Sequence, residues 1–337
     1  MNSKHFQELL AASPSSGFAI WKAPSDEGVH LLIDLGKGGD SFTIAPFQKE
    51  DEIISLRGEA ISLGQLDLDI SSSISSSIFN GDSTSREDHC AGVEQAIKTI
   101  GNSNLDKVVV STQTFVEGEF DPFQVFLKLL KAQPTTFVHL SFHPASGTWI
   151  GASPEPLIVQ ENDAFRTVSL AGTRAVSQQI EAWGQKESLE QSIVTDYIKG
   201  QLAKAGAENI RIERPETLRF GDIEHLKSDI RFNTSNPAHV VSYLHPTPAV
   251  GGTPLKEALD LIDQVEGHKR SYYTGYIGCS GVNLTTTYFV NLRCLQFHHN
   301  GLLFFTGGGI TLDSEPDSEW METREKLNSL MHHIEKI

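Results

Sequence analysis

Four groups of residues carry side chains at spacings that chemistry could use. Lys107 opens the apolar run Lys107-Val-Val-Val-Ser111. A lysine there is ordinarily a solvated strand end; if its ammonium instead enters a pocket, desolvation lowers its pKa and makes it a base. Gly151-Ala-Ser-Pro-Glu155-Pro156 sets one carboxylate between two prolines. It reads equally as a plain surface turn and as a rigidly aimed general acid. Glu319 and Glu322 are three apart, so they share one face in what reads as the first turn of the last helix, where the dipole favours anions. With Glu190 on an earlier helix, they are either solvated glutamates or oxygen ligands for a hard cation such as Mg²⁺. Gly307, Gly308 and Gly309 follow a strand and let backbone N–H groups approach an anion. Arg293, on the strand 289–294, is either an ordinary ion-pair partner or a fork for a carboxylate. Two other features promise less. Gly36-Lys-Gly-Gly-Asp40 lacks phosphate-loop spacing and reads as a turn, and His139 and His143 have no HExxH frame.

The scaffold for these groups follows from composition and periodicity. The 337 residues are 39% hydrophobic, and 27 basic against 43 acidic side chains leave a net charge of −16. Such a chain is a poor partner for nucleic acid or an anionic membrane. No apolar run approaches the roughly 18 residues of a membrane span, and no signal-peptide pattern opens the chain. Cys90, Cys279 and Cys294 make no CxxC, so a disulfide scaffold or structural zinc site is not expected. The expectation is a soluble cytoplasmic protein. Strand-like runs are 18–21, 29–33, 107–111, 136–142, 148–151, 157–161, 165–170, 272–279, 286–296 and 302–306. Helix-like runs are 86–100, 122–131, 187–205, 256–264 and 319–337, with Leu189, Ile193, Tyr197 and Leu202 as the apolar stripe of the third. The Ser-rich stretch 69–88 reads as a poorly ordered exposed loop or irregular edge. Strands come in hairpin-like runs, which favours α+β with large antiparallel sheets over a Rossmann fold.

Taken in order, Lys107-Val-Val-Val-Ser111, Gly151-Ala-Ser-Pro-Glu155, Leu170-Ala-Gly-Thr173, Leu244-His-Pro-Thr-Pro-Ala249, Asn291-Leu-Arg-Cys294, Gly307-Gly-Gly-Ile310 and Glu319-Trp-Met-Glu-Thr323 resemble the chorismate-utilising enzymes. That family includes isochorismate, salicylate, anthranilate and aminodeoxychorismate synthases. The resemblance covers residues 106–330. Residues 1–100 match loosely and are expected to be a shortened, divergent N-terminal part of one domain whose chorismate-binding core is 101–337. The implied fold is two large antiparallel sheets in a sandwich with outer helices.

The resemblance also implies roles. Glu190 and Glu322 would hold Mg²⁺, with Glu319 as an added ligand or supporting group. Gly172 and Thr173 would help bind the ring carboxylate through backbone groups. Arg293, Gly307, Gly308 and Gly309 would bind the enolpyruvyl carboxylate, and His225, in Glu224-His-Leu226, would line the ring pocket. Family members that add water carry lysine at position 107, and ammonia-using aminodeoxychorismate synthases place a lysine in the motif that here contains Ala171. Lys107 would then be the base and Glu155 the acid, and the expected activity is that of an isochorismate synthase feeding menaquinone or siderophore biosynthesis. Ala249-Val250 resembles isochorismate synthases, whereas salicylate synthases tend to carry Thr at position 249. A salicylate synthase and an inactive chorismate-binding protein are the alternatives. Chorismate is the expected partner, with no glutaminase subunit, and the chain is expected to be a monomer. Two departures from the family pattern are Thr112 after Ser111, where Arg is usual, and Gln191-Ser192 after Glu190.

Overall fold

The computed structural model describes residues 16–48, 51–63, 74, 76–175, 183–220, 223–282 and 285–334. Among these, eighteen strands and six helices are present, and the strands make two large antiparallel sheets. The chain divides into two compact units. The first comprises Met1–Glu155, Pro246–Leu284 and Phe289–Ile337, and the second Pro156–His245 and Thr285–Tyr288.

In the first unit one sheet has the order β14-β6-β18-β17-β8-β7-β1-β2-β5. These strands are Gly252–Thr253 (β14), Lys107–Glu117 (β6), Gly301–Ile310 (β18), Cys294–His298 (β17), Gly147–Ser153 (β8), Phe137–His143 (β7), Phe18–Lys22 (β1), Val29–Ile33 (β2) and Ile61–Leu63 (β5). Most are apolar on both faces, and the structure shows why. On one face Phe18, Ile20, Leu140, Ile150, Leu302 and Phe304 meet Phe123, Phe126 and Leu129 of α2 (Pro122–Ala132) and Leu327 and Leu330 of α6 (Pro316–Met331). On the other face Trp21 and His139 meet Phe42, at ring-centroid distances of 5.3 and 6.2 Å. Phe42 lies on β3 (Asp40–Ala45), which pairs with β4 (Ile54–Gly58) and β15 (Tyr276–Ser280). Both faces are dry, so strand residues need no polar alternation. Helices α1 (Arg86–Gly101) and α2 start where Ser85 and Asp121 cap free backbone N–H groups.

In the second unit β10 (Ala164–Ala175) pairs with β9 (Pro156–Glu161) and β13 (Ile223–Asn233). β13 also pairs with β11 (Glu208–Ile212) and β12 (Glu216–Phe220). β16 (Thr286–Val290) has residues in both units. Helix α3 (Gln185–Lys204) packs on β10 and β13, and α4 (Pro237–Leu244) on α3.

Several expected elements are corrected. The run 272–279 becomes a strand only from Tyr276, because Ser271 and Thr274 adopt left-handed φ values of 49° and 57°. The run 286–296 is broken by a turn in which Arg293 has φ 47°, so Arg293 is not on a strand. The expected stripe of α3 is only partly right: Leu202 is buried as expected and Tyr197 partly so. Leu189 and Ile193 are exposed, while Gln191, Thr195, Ile198 and Leu202 are buried. The underlying strands present Ser169 and Ser228, and Gln191 Nε2 donates to both hydroxyls at 2.9 and 3.2 Å, so a polar helix face matches a polar sheet face. Of the Ser-rich stretch, 69–73 and 75 lie outside the described residues. The part 77–85 is an irregular, mostly exposed segment, as expected, but it is tied to β6: Thr84 N donates to Gln113 O at 2.8 Å, and Phe115 N donates to Ser83 Oγ at 2.9 Å. The last helix runs Pro316–Met331, three residues earlier at its start than expected and ending before 332–334; 335–337 lie outside the described residues. Strands β11–β13 and helix α4 were not expected at all. No helix among the described residues is long and apolar enough to cross a membrane.

Gly172 sits at a bulge in β10, where the register to β13 shifts between Ala171 and Thr173, with φ 68°. A Cβ there would lie 3.0 Å from Glu187 O and 3.1 Å from Glu187 Cβ. Gly172→Ala is expected to cost about 1–3 kcal/mol of unfolding free energy. Denaturant unfolding checks this, and an unchanged midpoint would contradict the strain.

Candidate active site

Lys107 is the first residue of β6 and lies opposite Thr253 of β14. A Cβ on Gly309 would lie 2.5 Å from Lys107 Cε and 3.2 Å from its Nζ, so the lysine side chain crosses the glycine. A Cβ on Gly307 would lie 3.1 Å from the Tyr273 hydroxyl, and Tyr273 stacks on Phe305 at 5.4 Å. Burial pushes the Tyr273 hydroxyl far up, so it is a neutral donor. The glycines are therefore needed for close approach by side chains. They lie inside strand β18 rather than after it, and none has a left-handed φ. β17 pairs with β18 only over Gly301–Phe304, so the glycine run has one edge free of a strand neighbour. Among the described residues that edge has no strand partner, and Lys326 Nζ takes up Gly307 O.

Glu155 is half-buried just after β8. Its backbone oxygen accepts from Val290 N at 3.0 Å, and Ser153 Oγ, two residues before, donates to Val290 O. The expected turn is thus pinned into the unit and not a loose surface turn. Burial raises the Glu155 carboxyl to about 7, and the Lys107 ammonium pulls the other way. These two groups, singled out from the sequence separately, lie within electrostatic reach of each other.

Glu319 approaches β18 from the other side. A Cβ on Gly308 would lie 2.9 Å from Glu319 Oε2, and strand alternation aims Gly308 opposite to Gly307 and Gly309. Burial pushes the Glu319 carboxyl up. Ser314 Oγ, donating at 2.8 Å, lowers it, Glu322 raises it, and Lys326 lowers it. Glu319 is in the first turn of α6 as expected, but Glu322 is one turn further on. Lys326 was not singled out: its Nζ is 2.7 Å from Glu322 Oε1 and donates to Gly307 O at 2.7 Å. The i,i+4 spacing of Glu322 and Lys326 was the available signal. Among the described residues, no three His, Cys, Asp or Glu side chains gather into a metal-holding group.

Asn291 is fully buried. Its Nδ2 donates to Tyr272 O at 2.9 Å, and Oδ1 is 3.2 Å from His139 Nε2. Burial lowers His139 to about 4, so this histidine is neutral and hydrogen-bonds Asn291. The locked Asn291 leads into the left-handed, exposed Arg293, whose carbonyl accepts from Ala152 N at 3.1 Å. A non-glycine residue held at positive φ marks a place where surroundings enforce the geometry. Ala249 is exposed and Val250 buried in the turn that leads to β14, and Gly251 O accepts from Val109 N at 2.9 Å. That turn therefore adjoins the start of the Lys107 strand.

In the second unit Thr173 and His225 are direct register partners on β10 and β13. Gly172 is tight against Glu187 in the first turn of α3, and half-buried Glu190 follows one turn on. Gly172, Thr173 and His225 thus cluster at the β10 bulge, with Glu190 on the helix that covers it.

The family described as chorismate binding enzyme matches residues 47–335. Isochorismate synthase MenF of Bacillus subtilis is 27% identical over 337 residues, covering 96% of this chain and 66% of that protein. The salicylate biosynthesis isochorismate synthase of Pseudomonas aeruginosa is 30% identical over 261 residues, covering 73% of this chain and 54% of that protein. The chain thus spans about two thirds or less of the length of these relatives. Among solved structures, the menaquinone-specific isochorismate synthase MenF of Escherichia coli matches with a TM-score of 0.77 at 20% identity, covering 97% of this chain and 90% of that one.

Proposed function

The chain belongs to the chorismate-binding enzyme family, and on that premise we propose that it converts chorismate to isochorismate, adding water at C2 as the C4 hydroxyl leaves. The observation that carries this reading is the Lys107–Glu155 pair, one group suited to taking a proton and the other held near neutrality as an acid. Neutral Lys107 takes a proton from the attacking water. Protonated Glu155 gives its proton to the departing hydroxyl. Neutral lysine with a protonated glutamic acid holds the same number of protons as the ion pair. Burial disfavours the charged form of Glu155 and so favours the working arrangement.

Arg293 and the backbone of Gly307–Gly309 bind the enolpyruvyl carboxylate. Gly172, Thr173 and His225 bind the ring end, and Ala249 and Val250 shape the pocket wall. Glu319 and Glu322 are neighbouring oxygen donors of the kind a hard divalent cation takes: burial and then the Glu322 charge raise the Glu319 carboxyl, while Ser314 and Lys326 lower it. Such a cation, Mg²⁺, would supply positive charge for the ring carboxylate. The enzyme works as a monomer in the cytoplasm without a glutaminase, in keeping with three free cysteines and the Lys107–Ala171 combination.

HPLC of chorismate reactions with Mg²⁺, with and without ammonium, tests the reading. Isochorismate is expected in both. Salicylate with pyruvate would reassign the chain to salicylate synthesis, and an amino product would overturn the role of Lys107. Two further outcomes are expected. Glu322→Gln raises the Mg²⁺ concentration needed for half activity, and an unaltered titration removes Glu322 as a ligand. Gly309→Ala places a methyl against the flexible end of Lys107, so the thermal midpoint stays near the parent value while kcat falls about 100-fold. Parental kcat would show that Lys107 need not lie across Gly309.

A further inference from the structure

The outer edge of β6, away from β18, has no full-length neighbour, yet its polar groups are satisfied one after another. Val109 N donates to Gly251 O at 2.9 Å. Val109 O accepts from Arg270 Nη2 at 2.7 Å, and Ser111 N donates to Glu266 Oε1 at 2.7 Å. Gln113 N donates to Thr84 Oγ1 at 3.0 Å. Two of these partners are the side chains of one ion pair, Glu266 and Arg270, each with 2% side-chain exposure. Arg270 Nη1 also donates to Val250 O at 2.9 Å, and its guanidinium lies 4.3 Å from the Phe47 ring centre. Beyond Arg270 the chain passes through left-handed Ser271 and Thr274, and Thr274 N donates to Asn291 O at 2.9 Å.

We infer that the Glu266–Arg270 pair is a positioning device that stands in for a missing strand beside β6, fixing the Lys107 strand against the 247–251 turn. The inference rests on the reading above, in which Lys107 is the base and Val250 a pocket wall. One guanidinium reaches the carbonyls of Val109 and Val250 together, so base and wall share a single rigid reference. Apolar side chains of similar volume can replace the charges of a buried ion pair, but they cannot replace its bonds to Val109 O, Val250 O and Ser111 N. The planar fork is what spans two carbonyls and a carboxylate at once, and an ammonium does not reproduce it.

The test compares Arg270→Lys and the double variant Glu266→Met with Arg270→Met. The double variant is expected to fold with a lowered thermal midpoint, because Val109 O, Val250 O and Ser111 N lose their partners, and its kinetics are measured well below that midpoint. Its kcat/KM for chorismate falls about 30-fold or more, with KM raised and kcat lowered together. Hydrogen exchange at the Ser111 amide accelerates at least about 10-fold, since its acceptor is gone. Arg270→Lys is expected to lose about 10-fold in kcat/KM. Parental kcat/KM in the double variant would overturn the inference. If the double variant does not fold, parental kcat/KM in Arg270→Lys overturns it instead. If the parent makes no isochorismate, the functional reading fails separately, and an unchanged Ser111 exchange rate in a folded variant still overturns the positioning role.

Discussion

Lys107→Ala is expected to lower the rate of isochorismate formation by about 10³-fold or more, with chorismate binding and the thermal midpoint close to the parent's. The side chain starts at the end of a strand whose own residues supply the core, and its outer half lies across a glycine, so truncation leaves Val108–Ser111 packed. Lys107→Arg keeps a charge beside Glu155 but supplies no base, because guanidinium does not give up its proton in this range. It is expected to be as inactive as alanine. Steady-state kinetics with single-turnover controls decides the matter. An alanine variant with more than about a tenth of parental kcat removes Lys107 as the base.

Glu155→Gln is the second large effect, again about 10³-fold in kcat, with the C4 hydroxyl unable to leave and chorismate still bound. The pH dependence is specific. A carboxyl raised to about 7 is protonated below that pH, so parental activity declines as pH rises through 7, and the glutamine variant shows no such limb. The stability dependence has the same sign. Between the ordinary carboxyl value of 4.5 and about 7, the folded chain keeps a proton that the unfolded chain has released. Folding stability from this group is therefore present at pH 4 and lost as pH rises towards 7. Glu155→Gln is expected to raise the thermal midpoint relative to the parent at pH 8 and not at pH 5. Equal differences at both pH values would show that Glu155 is not held protonated by burial.

Much of the candidate site was legible as residue types in order. Lys107, Glu155, Glu319 and the glycine run were all picked out by chemistry and spacing, and each lies where a packed unit constrains it. Lys326 and Tyr273 were not, since a lysine on an acidic helix face and a tyrosine before a strand are common surface and core patterns. The stripe on α3 failed in part because periodicity reports which residues share a face, not which face is buried. Leu189 and Ile193 share a face, but the sheet beneath offers Ser169 and Ser228, so Gln191 and Thr195 turn inward. Arg293 was read as a strand residue because its neighbours are strand formers. Its left-handed backbone is enforced by Asn291 and Ala152, which are held by other segments.

Sequence alone determined the class of fold and the positions of most strands in the first unit, and it picked out Lys107, Glu155, Glu319 and Glu322 as candidates in a family order. Those properties are local: apolar runs, turn residues and short spacings act over a few positions. Tertiary structure decided the rest. It set Lys107 over Gly309 and Glu319 behind Gly308, gave Gly307 O to Lys326, and closed the edge of β6 with Glu266 and Arg270. Register and edge satisfaction depend on which distant segment arrives alongside. A lone strand's pattern does not contain that information, because every unpaired N–H and C=O on its edge accepts any partner that geometry brings.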